Sequence, residues 1–406
     1  MDSLLLAFDK FKDALDAESI CREVACAVRE RCPEVCVDAA PLTDGGEGFA
    51  SILTRRAGGE LRRAGVCGPC FDPVEAEYGT VALERLPAAL KDDCGLSGSG
   101  EVAVIEMARA SGLELVPPER RDPWTTTSRG TGDLLAAAAD RGARAILLGV
   151  GGSATHDLGL GALSALGLRV KPEHPLRGTK VPRPFAGALG CTPGHWEGIR
   201  EFATRGMRVL PPIRIACDVE NPLLGSNGAV FTFARQKGAK VGDLPRLESA
   251  THRMAAKLCR TFGAADSTPD EPGAGAAGGI AFGLQVACGA RRVPGFELVS
   301  DWLGLSERLK RADVVFTGEG RFDSGSLSGK GPGRIVREAT AMGKPVVVLA
   351  GAIDLSEKER QGLRKAGVWL EVVTPEGMAL EEALPRTAEL LEKAVQRALN
   401  RLNSPG

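Results

Sequence analysis

The sequence predicts an α/β protein of two domains, one of them a doubly wound parallel sheet assembled from both ends of the chain. Three observations predict it. The chain has 406 residues, more than one ordinary core holds. Short apolar, β-branched runs alternate with amphipathic helical stretches at both ends. Several of those runs end in loops of glycine mixed with an acid or a hydroxyl, the edge at which an α/β sheet builds a polar site.

In chain order, Leu4 to Asp9 reads as a buried strand. Asp16 to Arg31 reads as a helix, with Ile20, Val24, Ala27 and Val28 on one face and Asp16 as its cap. Val35 to Leu42 is the second strand, so the opening is β-α-β and the two strands should be parallel. The far end repeats this grammar. Val314 to Thr317, Pro345 to Ala350 and Trp369 to Thr374 read as strands. Arg334 to Met342, Ser356 to Ala366 and a long Leu380 to Leu402 read as helices.

The middle differs. Gly59 to Leu83 reads as antiparallel strands with turns at Gly65, Gly68 and Gly79. Val102 to Met107, Ala145 to Val150 and Ile213 to Val219 read as strands, and Thr131 to Arg141 as a helix. Lys171 to His195 is rich in Pro and Gly and reads as loop. The simplest arrangement is a Rossmann-like domain from residues 1–60 and 296–406, with a second α/β domain inserted over 61–295 and an active-site cleft expected between them.

The composition excludes several classes. Lys and Arg number 51 against 52 Asp and Glu, a net charge of −1 that argues against a nucleic-acid or membrane-surface protein. Aromatics make up only 4%, too sparse for base-stacking platforms. The start, MDSLLLAFDKFK, is too short in apolar residues for a signal peptide, and no run reaches the roughly 18 apolar residues of a membrane span. A cytoplasmic protein, monomer or homodimer, is expected. The 11 cysteines are scattered and do not suggest a disulfide framework. Cys67-Gly68-Pro69-Cys70 has redox spacing but precedes an extended segment, so two plain thiols are expected.

The loops carry the chemistry. They are PLTDGGEG (41–48), ILLGVGGSATHD (146–157), IRIACDVENPLLGSNG (213–228) and ADVVFTGEGRFDSGSLSGKGPGR (312–334). Glycines let backbone N–H groups approach an anion, and nearby carboxylates make sense there if a divalent cation neutralises them. This combination points to phosphoryl chemistry.

Asp9 and Lys12 follow the first strand, Asp9 as a candidate base and Lys12 as a phosphoryl-neutralising cation. Asp218 is the other candidate base. Asp44, Asp218 and Asp323 are the candidate metal ligands. Asp44, Gly45, Gly46 and Glu47 suit substrate, although Asp44 and Glu47 also fit a capping box for a helix over 48–57. Gly151, Gly152 and Thr155 suit a phosphate, and Ser153 either an anion or a helix cap. His156 and Asp157 follow on an expected small-residue helix. Asn221 fits hydroxyl positioning or plain turn chemistry. Lys237 suits phosphate. Gly278 closes a GxGxxG without a preceding strand, which suits a close backbone approach or small-residue packing. Gly318, Glu319, Arg321 and Lys330 complete the late cluster, with Arg321 a bidentate anion clamp or an internal ion pair. The Walker pattern is absent, so no P-loop is expected.

Eight blocks carry a family resemblance, in order from Phe8 to Ile335: FDKFKDALDAE, PLTDGGEGF, IEMARASGL, TTTSRGTGDLL, GVGGSATHDLGLGALSALG, CDVENPLLGSNGAVFTFARQKGA, PGAGAAGGIAFGL and TGEGRFDSGSLSGKGPGRI. The chain resembles the type I glycerate kinases. The resemblance implies ATP-dependent, Mg²⁺-assisted phosphorylation of D-glycerate, with 2-phosphoglycerate favoured over 3-phosphoglycerate as product. It also implies a flavodoxin-like domain formed by both chain ends. The family usually reads APDSFKGSL where this chain reads AFDKFKDAL, so Phe8, Lys10 and Asp13 replace Pro, Ser and Gly while Asp9 and Lys12 match. The family's GEGRxDxQT has Gly325 and Ser326 at its last two positions here. These departures keep two rivals open: a kinase for another small hydroxy acid, and a non-catalytic metabolite or nucleotide sensor.

Overall fold

The computed structural model describes residues 1–172, 189–327 and 331–403. Its strands are β1 (Ser3–Phe8), β2 (Cys36–Ala39), β3 (Glu60–Cys67), β4 (Pro73–Ala82), β5 (Glu101–Glu106), β6 (Ile146–Gly149), β7 (Arg169–Pro172), β8 (Ile199–Ala203), β9 (Ile213–Ala216), β10 (Arg291–Val293), β11 (Val314–Asp323), β12 (Val346–Asp354) and β13 (Val368–Val372). The chain divides into two compact units. One comprises Met1–Asp44 and Val299–Gly406, the other Gly45–Leu298.

The first unit holds a five-stranded, all-parallel sheet in the order β13-β12-β11-β1-β2. Strand β1 pairs with β11 from Leu4 opposite Val314 to Phe8 opposite Gly318. Side chains alternate across a strand, so Leu4, Leu6 and Phe8 share one face and meet Ile20, Val24, Leu391 and Val395. Leu5, Val315, Val346 and Val348 are buried as well, as a parallel sheet covered on both faces requires. The first helix, Ala17–Arg31, starts as expected, with the Asp16 carboxylate accepting from Ser19 N at 2.6 Å.

Two expectations for this unit need correction. The strand expected to end at Thr317 runs on to Asp323, so the GEGRFD segment is strand and pairs with β12 as far as Asp354. The long closing helix is interrupted. Leu380–Ala383 is a single turn, Leu384–Arg386 is a 3₁₀ turn, and only Thr387–Asn403 is a regular helix. Pro385 is the cause, since it cannot donate to the preceding turn.

The second unit holds a six-stranded mixed sheet in the order β10-β9-β6-β5-β4-β3. Strands β5, β6, β9 and β10 are parallel, and β3 and β4 form an antiparallel hairpin added at one edge. Ile105, Leu148 and Ile215 bury against Leu134, Leu135, Leu163, Met254 and Phe282 of the surrounding helices. The hairpin turns only around Gly68, whose N–H donates to Asp72 O. Gly65 and Gly79 lie inside strands instead of in turns. Gly79 is needed for packing: a Cβ there would lie 1.7 Å from Thr54 Oγ1. The expected loop over 171–195 contains the end of β7 and the start of the 3₁₀ turn Pro193–Gly198, and residues 173–188 lie outside the described residues. No described helix is long and apolar enough to cross a membrane.

Candidate active site

In the first unit, Asp9 stands where β1 ends. Its N–H donates to Gly318 O at 3.0 Å, and its Oδ1 accepts from Lys10 N at 2.7 Å. Gly318 allows this close passage of strands, because a Cβ there would lie 1.7 Å from Leu349 O. A Cβ on Gly331 would come within 3.5 Å of Asp9 Oδ2, so the helix Gly331–Ala341 begins beside the carboxyl. Burial first, and then the charge of Asp44, push the Asp9 carboxyl up to about 7, against the Lys10 amide, which favours the ionised form; Glu319 adds to the rise. Asp9, Asp44 and Glu319 therefore act electrostatically on one locality. Titration near neutrality suits a general base.

Lys12 is exposed in the turn that follows, where a Cβ on Gly320 would lie 3.3 Å from its backbone N. Asp13, where the resembled motif has glycine, adopts φ +62, which explains the glycine. Arg321 is exposed and ion-paired to Asp354, with Asp323 Oδ2 4.0 Å away. Asp323 Oδ1 accepts from Ser326 N at 3.1 Å, and Asp323 N donates to Ser326 Oγ at 3.1 Å. The Ser326 hydroxyl, at the family's Thr position, thus shapes the turn after β11. Lys330 lies outside the described residues.

The capping-box reading of Asp44 and Glu47 does not hold. The helix Phe49–Arg56 starts at Gly48, φ +84, with no side-chain cap. Asp44 itself is exposed.

In the second unit, the loops after β6 and β9 pack backbone to backbone with residues 45–46. Gly151 N donates to Gly45 O at 3.0 Å. A Cβ on Gly45 would lie 2.6 Å from Ala216 O, and one on Gly151 would lie 2.5 Å from Gly46 Cα. Side chains are excluded here, which leaves backbone groups at the strand ends. Gly152 continues this loop at φ +69.

Ser153 does not cap a helix, since the next helix begins at Leu160. Its Oγ accepts from Lys237 Nζ at 2.8 Å, and the same ammonium donates to Thr155 O at 2.7 Å. Burial lowers Lys237 to about 7. The lysine is therefore a buried brace, with its ammonium on Ser153 and Thr155. His156 is buried, with Nε2 2.9 Å from Thr251 Oγ1. That hydroxyl donates to Leu247 O, so Nε2 carries the proton. Burial, then Lys237, pulls His156 down to about 3. Asp157 is buried and accepts from Ser128 N, Ser128 Oγ, Gly159 N and Gly161 N at 2.8–3.1 Å. It anchors the loop from below.

Gly278, at φ +69, lies against the same segment, where a Cβ would come 2.1 Å from Thr155 O. Asp218 has both oxygens on the start of the helix Gly295–Leu303, accepting from Gly295 N at 2.8 Å and Phe296 N at 2.9 Å. The Asn221 amide donates to Asn227 O at 2.7 Å, within its own loop. Burial pushes the Cys67 thiol up to about 12 and raises Cys70, and all 11 cysteines are free, which agrees with plain thiols.

Sequence reasoning missed Glu106 and Arg109. Glu106 ends β5 with only 1% of its surface exposed. Its Oε1 is 3.4 Å from Arg109 Nε, and Ala50 N donates to its Oε2 at 3.5 Å. Burial raises it to about 7, with Arg109 opposing. The signal was available, since an acid closes the apolar run VAVIE inside the IEMARASGL block.

Among the described residues, no group of three or more His, Cys, Asp or Glu could hold a metal ion alone. Mg²⁺ does not require one, because it is commonly held by one or two carboxylates with substrate phosphates and water completing its shell. The Asp9, Asp44 and Glu319 charges fit that donor set.

The glycerate kinase family model matches residues 4–403. A glycerate kinase of Halalkalibacterium halodurans is 35% identical over 405 residues, covering 98% of this chain and 97% of that protein. A glycerate 2-kinase of Escherichia coli is 36% identical over 356 residues, covering 86% and 85%. A crystal structure assigned to glycerate kinase 2 of Salmonella typhimurium LT2 has a TM-score of 0.72 and 33% identity, covering 98% of each chain. With a match from end to end and a third of its residues shared with such relatives, this chain belongs to the glycerate kinase family and is an enzyme of that family.

Proposed function

We propose that this enzyme transfers the γ-phosphoryl group of ATP to D-glycerate with Mg²⁺, giving 2-phosphoglycerate, as a cytoplasmic monomer or homodimer. The observation that carries the reading is the Asp9 carboxyl, raised to about 7 by burial and by Asp44 at the end of a parallel strand. A group titrating there accepts a hydroxyl proton near neutral pH. Phosphoryl transfer asks mainly for positioning and charge neutralisation, which the rest of the site supports.

In this reading Asp9 receives the proton from the glycerate hydroxyl. Lys12, exposed beside it, offsets charge on the transferred group, and Lys330 serves the nucleotide phosphates. Asp44, with Glu319, would hold Mg²⁺, which neutralises phosphate oxygens. Asp323 and Arg321 shape the turn after β11 through Ser326 and Asp354. Gly45, Gly46, Gly151, Gly152 and Ser153 present backbone and hydroxyl groups to an anion, and Glu47 contacts substrate. Lys237, Thr155, Gly278 and Asn221 hold the loops that do so. Asp218 contributes by fixing the start of the helix Gly295–Leu303, which favours Asp9 over it as the base.

A coupled ADP-release assay with ATP, Mg²⁺ and D-glycerate tests the reading, with the product resolved by phosphorus NMR. 2-Phosphoglycerate is expected. 3-Phosphoglycerate would keep the reaction and overturn the product. Folded protein that binds ATP without turning over glycerate would move the reading to another hydroxy acid or to a sensor.

A further inference from the structure

We infer that Arg109 binds the carboxylate of the organic-acid substrate, and that Glu106 is the positioning residue that aims it. The inference rests on the glycerate reading and adds the group that recognises the acid end of the molecule.

Arg109 sits on the short turn Ala108–Ser111 that directly follows β5. That turn is stitched to the glycine loop after β6: Leu113 N donates to Gly152 O at 2.8 Å, and Ala154 N donates to Ser111 O at 2.9 Å. A Cβ on Gly152 would touch Ala108 Cβ at 3.3 Å. On the other side, Glu106 meets the 45–50 segment through Ala50 N. Arg109 therefore stands beside both backbone loops proposed to receive an anion.

The Arg109 side chain is 47% exposed, and among the described residues its partner is Glu106, approached through Nε at 3.4 Å. An arginine held at Nε keeps its two terminal nitrogens as a fork that matches a carboxylate. The neighbouring cation, Lys237, has its ammonium inside the protein on Ser153 and Thr155. In the first unit, Arg321 faces Asp354. Arg109 is thus a cation presented at these loops.

The charge of Glu47 is near enough to raise Glu106. A polyphosphate would meet two acids and one guanidinium. A carboxylate of single charge meets a better balance, and Glu106 gains by keeping the guanidinium in place.

Steady-state kinetics and calorimetric titration of the full chain test the inference, with D-glycerate, glyceramide and ATP as the probes. For Arg109→Ala, KM and Kd for D-glycerate should rise about 10- to 100-fold while KM for ATP stays put, because a charge-assisted bidentate contact is lost from ground and transition states alike. The preference for D-glycerate over uncharged glyceramide should collapse. Arg109→Lys should fall between, keeping charge without the fork. Glu106→Gln should raise KM for D-glycerate with little change in kcat, as expected of a residue acting through Arg109. Unchanged glycerate binding in Arg109→Ala, or an equal rise in KM for ATP, would overturn the inference. Wild-type turnover reads the glycerate proposal separately. A wild type that binds D-glycerate without turning it over still reports on Arg109 through Kd, and one that does not bind it overturns both.

Discussion

Lys237 Nζ donates to Ser153 Oγ over 2.8 Å from a side chain that is only 2% exposed. A buried base with its folded pKa lowered from 10.5 to about 7 holds fewer protons than the unfolded chain anywhere between those values. The unfolded state binds the extra proton, so stability rises with pH across that window. Urea unfolding at pH 7 and pH 9 should show a gain of about 2 kcal/mol attributable to this lysine, absent from Lys237→Met. Activity of Lys237→Met should fall about 100-fold as the 153–155 loop loses its brace.

For Asp9 the sign is opposite. Its folded pKa is raised from 3.8 to about 7, so the native state binds the extra proton and loses stability as pH rises through that window. Asp9→Asn should therefore melt roughly 3 °C higher than wild type at pH 8. Its kcat should drop about 10²- to 10⁴-fold, the loss expected for a general base. Thermal melts and the ADP-release assay check the two together. A variant that melts higher and remains active would remove Asp9 from the chemistry.

Asp218 behaves as a cap for the helix Gly295–Leu303, accepting two amides. Asp218→Ala should cost about 1 kcal/mol of stability in denaturant titration. Its loss of kcat should be much smaller than that of Asp9→Asn, and comparison of the two variants decides between the two candidate bases.

Gly278→Ala should be among the most damaging small substitutions in the second unit. The glycine sits at φ +69, and its added Cβ would meet Thr155 O at 2.1 Å. Strain and displacement together should cost about 2–4 kcal/mol in urea unfolding. Activity should fall in the surviving folded fraction, because residues 153–156 are pushed out of place.

The parallel sheet of the first unit was legible because its apolar runs are short, β-branched and bounded by helical patterns. The Asp16 cap was legible because an acid stands directly before an amphipathic stretch. Gly79 misled because sequence cannot distinguish a glycine that turns the chain from one that admits Thr54. Pro385 was overlooked inside a strong helical pattern, yet it divides the closing helix. The glycine-bearing strand ends were visible in the sequence, and so was the place of Asp9 at the end of β1. The roles of Lys237, Asp157 and Asp218 were not, since each depends on a partner 29 to 84 residues away. Glu106 and Arg109 escaped because Glu106 closes an apolar strand without the glycines that mark the other loops, and Arg109 follows it in a stretch with no assigned element.

Strand β1 lies between β2 and β11, and Thr317 reaches Ala7 across 310 residues of chain. A ribosome delivers those two partners far apart in time. One edge of β1 waits for the last quarter of synthesis before β11 exists, while the segment Gly45–Leu298 emerges as one unbroken stretch and can close on its own. Biogenesis of this enzyme should thus proceed from the inside of the sequence outward, with the terminal half-sheets joining last.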